Sequence, residues 1–222
     1  MIQTINRFCK GFKELLLPTV VGMALAFFLL PGTSQADGRK LNADEVEIVF
    51  SVNEYLNSFV DMEGYFVQTG PSGKFTSGRF FLNRPGRVRF EYEPPSPLTI
   101  VADGSWVSIE NRKLKTSEHY PLRTTPLKII LAENINLLKS ADVTQVFRDK
   151  SRTTVTLHDR GLAANGEITL VFQTEDMVLK EWIVIDGQGL QTRVSVTDLV
   201  TGIKRRSNLF FIKKPDFPES DR

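Results

Sequence analysis

The segment Gly78-Arg-Phe-Phe-Leu-Asn-Arg-Pro-Gly-Arg-Val-Arg-Phe-Glu-Tyr92 reads as two strands joined at Arg84-Pro85-Gly86. In its second half Val88, Phe90 and Tyr92 alternate with Arg87, Arg89 and Glu91. That period of two gives a sheet one apolar face and one wet face. Phe80 and Leu82 share a parity with Arg84, so a regular register puts Arg84 at the rim of the apolar face. A guanidinium there keeps its charge and must find acceptors or water. Taken by itself, Arg84 is either a solvated turn residue or the partner of some buried acceptor.

Strand patterns continue on both sides. Residues 64–69 alternate, and residues 70–73 (Gly-Pro-Ser-Gly) form a loop. Pro94, Pro95 and Pro97 suit a sheet edge or corner rather than a central strand. Residues 98–102 resume the pattern. Asp103-Gly104 is a two-residue hairpin signal, residues 105–110 pair back, and residues 113–120 make a polar strand. Beyond them come residues 143–147, 153–158, 167–172, 178–185, 190–199 and 203–212, bounded by Gly161, Asn165-Gly166, Asp186-Gly187 and Thr201-Gly202. The sum is about eleven short strands in hairpin order, an antiparallel sheet long enough to curl into a half-barrel.

Two helical signals interrupt this pattern. Asn42 and Glu45 have the spacing of a capping box, and Val49, Val52, Leu56 and Phe59 mark one face of a helix ending near Val60. Leu127, Ile130, Leu131 and Ile135, flanked by Pro121 and Pro126, predict short helical turns between the two runs of strands. The concave face of a curled sheet is either filled by side chains or left hollow; helices over its mouth would enclose a cavity in place of a solid core, and a short apolar helix in such a loop is commonly a plug or lid.

The first 36 residues are a separate object. Arg7, Lys10 and Lys13 precede a mostly apolar run over residues 15–30, and small residues follow at Ser34 and Ala36. This is the three-part pattern of a secretory signal peptide, with cleavage expected after Ala36. Residues 37–222 are then one domain. The leader holds three basic residues and one acidic. Of the chain's 28 Lys+Arg and 26 Asp+Glu, 25 of each remain, so the formal charge of +2 falls to zero and nothing favours nucleic acid. The one cysteine, Cys9, lies in the leader and ahead of the apolar run, so the processed chain is expected to have no thiol and no acyl anchor.

The motifs of catalysis are missing. The two histidines, His119 and His158, have no metal-ligand spacing. There is no Gly-x-Ser-x-Gly elbow and no phosphate-binding loop. The expectation is a protein without enzymatic activity, metal or cofactor.

Gly64-Tyr-Phe-Val-Gln68, Gly78-Arg-Phe-Phe-Leu-Asn-Arg-Pro85, Val88-Arg-Phe-Glu-Tyr92, Ile100-Val-Ala-Asp-Gly104 and Pro126-Leu-Lys-Ile-Ile-Leu131 resemble, in order and spacing, the LolA family of periplasmic outer-membrane lipoprotein carriers. The resemblance spans residue 41 to about residue 215. It implies a mainly β protein with helices: an incomplete, unclosed antiparallel barrel with a helical lid over a hydrophobic cavity. It also implies the work: accepting lipoproteins from an inner-membrane ATP-driven exporter, shielding their acyl chains, and passing them to an outer-membrane acceptor or the membrane itself, as a monomer. Arg84, with Pro85, corresponds to the family's latch on lid backbone carbonyls. On this reading Phe66, Phe80, Leu82, Val88, Phe90, Leu98, Ile100 and Trp106 line the cavity, and Leu127, Ile130 and Leu131 belong to the lid. The family's C-terminal extension with an extra strand is not matched, since little follows Pro215. Carriage of another lipid or amphiphile, or a combined carrier and membrane-insertion role, fits the same residues.

Overall fold

A computed structural model describes residues 39–159 and 166–212. The expected leader and its cleavage point, the turn at Gly161 and the tail beyond Pro215 lie outside the described residues. The described residues from Leu41 onward form one compact unit.

Eleven strands make a single sheet: β1 (Asp61–Thr69), β2 (Phe75–Asn83), β3 (Arg87–Tyr92), β4 (Leu98–Asp103), β5 (Trp106–Asn111), β6 (Thr116–Pro121), β7 (Ala141–Arg148), β8 (Arg152–Asp159), β9 (Glu167–Gln173), β10 (Leu179–Ile185) and β11 (Gln191–Thr201). Their order is β6-β5-β4-β3-β2-β1-β11-β10-β9-β8-β7. Two hairpin meanders are thus joined where the first strand pairs antiparallel with the last. β6 and β7 are the two edges and do not pair, so the barrel stays unclosed.

The apolar parity of the hairpin persists across the sheet. Leu82 faces Val88 and Phe80 faces Phe90; Phe90 then faces Ile100, and Ile100 faces Ile109. On the other wing Val194 pairs with Trp182, and Trp182 with Leu170. The curvature can be read from one distance. Phe90 and Trp182 lie four strand steps apart, about 19 Å in a flat sheet, yet their rings are 6.3 Å apart. The sheet therefore closes its apolar face on itself. Gly78 permits the tightest contact on that face. A Cβ there would sit 2.9 Å from the Phe66 ring and 2.0 Å from the Glu91 carbonyl oxygen.

Helix α1 (Ala43–Asn57) carries the predicted capping box: the Glu45 N–H donates to Asn42 Oδ1 at 2.9 Å, and the Asn42 N–H to Glu45 Oε2 at 3.0 Å. Val49, Val52 and Leu56 are buried. The helix stops at Asn57 rather than near Val60, because Ser58 turns back on the Tyr55 carbonyl through both its N–H and its hydroxyl. Phe59 is buried beyond the helix end. Between β6 and β7 run a 3-10 turn (Leu122–Thr124), helix α2 (Leu127–Ile130) and helix α3 (Leu137–Ser140). The last of these was not expected from sequence.

The expected strand over residues 203–212 is not formed. This segment crosses the convex face as irregular chain with a 3-10 turn at Ser207–Phe210. It is held by the Ile203 N–H on Asp61 Oδ1 (2.7 Å) and by a two-pronged ion pair of Arg205 with Glu63, both bonds 2.7 Å. Phe210 and Ile212 pack on Phe81 and Val101, with Trp106 alongside. What alternation marks as the wet face is therefore dry at this place.

Candidate functional site

The interior under the lid is bounded by Leu56 and Phe59 of the α1 end, Phe80, Leu82, Val88, Phe90, Leu170, Leu179 and Trp182 of the sheet, and Leu127, Ile130 and Leu131 of the lid. Leu127, Ile130 and Leu131 border this void, as do four of the eight lining candidates, Phe80, Leu82, Val88 and Phe90. The others do not reach the void. Phe66, Leu98 and Ile100 lie on the same sheet face but beyond it; Phe66 is edge-on to Phe90 and Tyr92, at 5.3 and 4.9 Å. Trp106 is a clear correction. It shares parity with Ser108 and Glu110 and faces the convex cluster. Met62, Leu170, Leu179 and Trp182 complete the lining, and only the strand order brings them there.

The void itself is about 30 Å³. A site needs roughly 10–15 Å³ of such volume to hold one water, so this space admits about two and no acyl chain. The described molecule is the closed form, and entry of a long apolar ligand requires the lid to move.

Arg84 stands at the closure. It is only 5% exposed. Its Nε donates to the Ile130 carbonyl at 3.0 Å. Its Nη1 donates to the carbonyls of Leu56 and Phe59, the latter at 3.3 Å. The guanidinium also lies over the Phe59 ring, 4.6 Å from its centre. These acceptors are available because helices end there. Leu56 is in the last turn of α1 and Ile130 is the last residue of α2, and carbonyls in a final turn have no partner within the helix. A cation there also complements the dipole of the long helix. The turn adds a second bond, from the Gly86 N–H to the Leu131 carbonyl at 2.8 Å. Gly86 takes φ +73°, and a Cβ on it would meet Gly104 at 2.6 Å. The Arg-Pro-Gly turn is thus wedged beside the Asp-Gly turn, with its donors aimed at the lid. Pro85 follows Arg84 through a cis peptide bond and is itself exposed.

Burial pushes the Arg84 pKa down to about 10, opposed by nearby Tyr55; the guanidinium therefore remains charged at neutral pH. Burial raises the Tyr55 hydroxyl above its ordinary value, opposed in part by a backbone hydrogen bond with Leu179. The Tyr55 ring packs edge-on against Phe59 and Phe172, each at 5.6 Å.

A second set of polar contacts escaped the sequence reading. Asn57 accepts from the Ile135 N–H and donates to the Ile135 carbonyl, both at 2.9 Å. Asn53 accepts from the Leu137 N–H at 3.1 Å. This clasp fixes the far end of the lid segment to α1. The signal was present: Asn53 and Asn57 are one helical turn apart beside the apolar residues Val52 and Leu56. Among the described residues no group of three or more His, Cys, Asp or Glu is placed to hold a metal.

An unclosed antiparallel sheet with a lid latched over its apolar face defines a class of proteins that enclose apolar ligands. The sequence pattern is that of one family within it: residues 41–213 match the model of "Outer membrane lipoprotein carrier protein LolA", and the chain belongs to that family. It is 21% identical over 164 residues to an uncharacterised protein of Rickettsia prowazekii (strain Madrid E), covering 73% of this chain and 75% of the relative. Among solved structures it is similar to a DUF1329 family protein from Desulfovibrio piger, with a TM-score of 0.50 at 7% identity over 76% of this chain and 96% of that one. It is also similar to a LolA superfamily protein from Nitrosomonas europaea, with a TM-score of 0.42 at 10% identity over 76% and 97%. At 7% identity the likeness to the Desulfovibrio piger protein speaks for the fold alone.

Proposed function

We propose that this protein is a periplasmic carrier that takes up the acyl chains of lipoproteins beneath its lid and moves them from the inner to the outer membrane. Family membership supports the reading, and one observation carries it: Arg84, the one buried cation at the mouth among the described residues, donates to lid and helix-end carbonyls over an apolar interior. The donor would be an ATP-driven exporter in the inner membrane, and the receiver an outer-membrane acceptor or the membrane itself. The leader would be removed near Ala36 on export.

Magnitudes favour a latched carrier over an open one. Each methylene withdrawn from water contributes about 0.8 kcal/mol, so a long acyl chain gains on the order of 10 kcal/mol inside the protein. A permanently open cavity would hold such cargo too well and would be an aggregation-prone patch when empty. A closed empty state lowers the apparent affinity by its own stability, and charged hydrogen bonds of roughly 1.5–3 kcal/mol each are of the size required. Incubating the purified protein with spheroplasts tests the reading. Newly made lipoproteins should leave the membrane as a soluble one-to-one complex. If they stay behind while free lipid co-purifies with the protein, the carried class is another amphiphile.

A further inference from the structure

The end of the sheet opposite the latch carries a rim whose side chains the fold leaves unused. The β1–β2 loop (residues 70–74), the β3–β4 loop (residues 93–97) and the β5–β6 loop (residues 112–115) all lie at the strand ends away from the Arg84–Gly86 turn. Backbone bonds stitch them together. The Glu93 N–H donates to the Ser77 carbonyl at 2.9 Å, and the Arg112 N–H to the Pro97 carbonyl at 3.0 Å. Arg112 Nη2 donates to the Tyr92 carbonyl at 3.3 Å. The β5–β6 tip is a built turn. Buried Asn111 accepts through Oδ1 from the N–H groups of Lys113 and Leu114, at 3.1 and 3.0 Å, and Lys115 takes φ +54°.

Two of the most exposed large apolar side chains stand on this rim, Phe75 at 70% and Leu114 at 62%. Lys74 precedes Phe75, and Lys113 and Lys115 flank Leu114. All three lysines are exposed, and none has an ion-pair partner among the described residues. The one acid of the three loops, Glu93, accepts from the Ser77 hydroxyl at 2.8 Å. Four basic residues against one acidic leave these loops at +3, although the chain past residue 36 carries equal numbers of each. A lone exposed apolar residue is ordinary. Two on one fixed rim, each beside unpaired cations, form a pattern suited to a membrane–water boundary: the apolar groups leave water while the ammonium groups meet phosphates.

We propose that this rim docks the protein on an anionic lipid bilayer, with Phe75 and Leu114 in the headgroup layer and Lys74, Lys113 and Lys115 on the phosphates. The Arg84 latch, at the other end of the strands, stays clear of the bilayer. The docking does not depend on the carrier reading. An acidic protein surface would match the lysines but would leave the two apolar side chains without a role.

Vesicle flotation of the exported, purified protein tests this. Mixed phosphatidylglycerol and phosphatidylcholine vesicles should carry the protein, phosphatidylcholine alone should not, and added salt should weaken the binding. Each basic residue near an anionic leaflet contributes about fivefold, so Lys74→Gln, Lys113→Gln and Lys115→Gln together should weaken binding about 100-fold. Phe75→Ser with Leu114→Ser should weaken it about tenfold or more at an unchanged melting temperature, since both side chains are exposed. Equal binding to both lipids, or unchanged binding of the triple lysine variant, overturns the proposal. So does binding that needs the lysines but not the apolar pair, which would assign the rim to an acidic surface, or a dimer that ignores vesicles and is broken by the apolar pair of changes. Quenching of Trp182 by a brominated fatty acid, in a Trp106→Phe variant, reads acyl uptake separately. Uptake without docking refutes the rim alone, and docking without uptake refutes the carrier reading alone.

Discussion

Arg84 and Ile130 are joined by a hydrogen bond of 3.0 Å from guanidinium to carbonyl, so that a residue from a hairpin turn caps the last residue of the lid helix. The same side chain caps the end of α1 through Leu56 and Phe59. Opening the lid therefore strips one charge of part of its solvation by protein, and this is the physical content of the latch.

Replacing Arg84 by Leu removes the donor and leaves three carbonyls without it. The bond to Ile130 alone is worth about 1.5–3 kcal/mol, so the lid should open about 10- to 100-fold more often. Hydrogen exchange at the amides of Lys128 and Leu131 reads this directly, and hand-over of bound lipoprotein should slow because the closed empty state no longer drives release. Wild-type protection at those amides would contradict the latch.

Asn53→Ala and Asn57→Ala should loosen the other end of the lid. Each strands backbone groups of residues 135–137, and an unsatisfied buried group costs about 1–3 kcal/mol. Urea titration should show lowered midpoints, with Asn53→Ala the more damaging because Asn53 is buried and its loss leaves the Leu137 N–H without that acceptor.

Gly78→Ala tests the inner packing. The added methyl collides with the Glu91 carbonyl oxygen and the Phe66 ring, and overpacking of this kind costs about 1–3 kcal/mol or more. The melting temperature should fall by several degrees. An unchanged melting temperature would mean that the β2–β3 ladder relaxes freely at this point.

Lid closure should not vary between pH 6 and 9. Arg84 is charged throughout this range, since its pKa in the closed form is lowered only to about 10, and Tyr55 stays neutral, since its pKa is raised. The sign follows from linkage. Proton loss favours the state with the lower pKa, so any effect of Arg84 begins near pH 10 and favours closure. Lid-amide exchange, corrected for the intrinsic pH dependence, is the measurement; opening that titrates near neutrality would assign control to another group.

Much of this architecture was legible in the chain. The alternation of Val88, Phe90 and Tyr92 named the inner face of β3, and the parity of Phe80, Leu82 and Arg84 carried the arginine to the rim. Asn42 and Glu45 announced α1. Trp106, named with the cavity lining, faces the convex cluster instead, as its parity with Ser108 and Glu110 requires. The apolar residues near the end of the described chain suggested a strand, yet Phe210 and Ile212 serve to cover the convex face.

Sequence alone determined most of the strands and the shared faces within them, because those properties repeat every two residues along a local backbone. It also determined that Arg84 needs acceptors or water. Tertiary structure alone decided which acceptors those are. The carbonyls of Leu56, Phe59 and Ile130 lie 28, 25 and 46 residues away in the chain, and every residue has the same carbonyl, so no side-chain pattern distinguishes them. They become available only where a helix ends beside this turn. The nearly filled interior has the same origin, since the volume left under the lid depends on how two wings of one sheet and a latched loop meet.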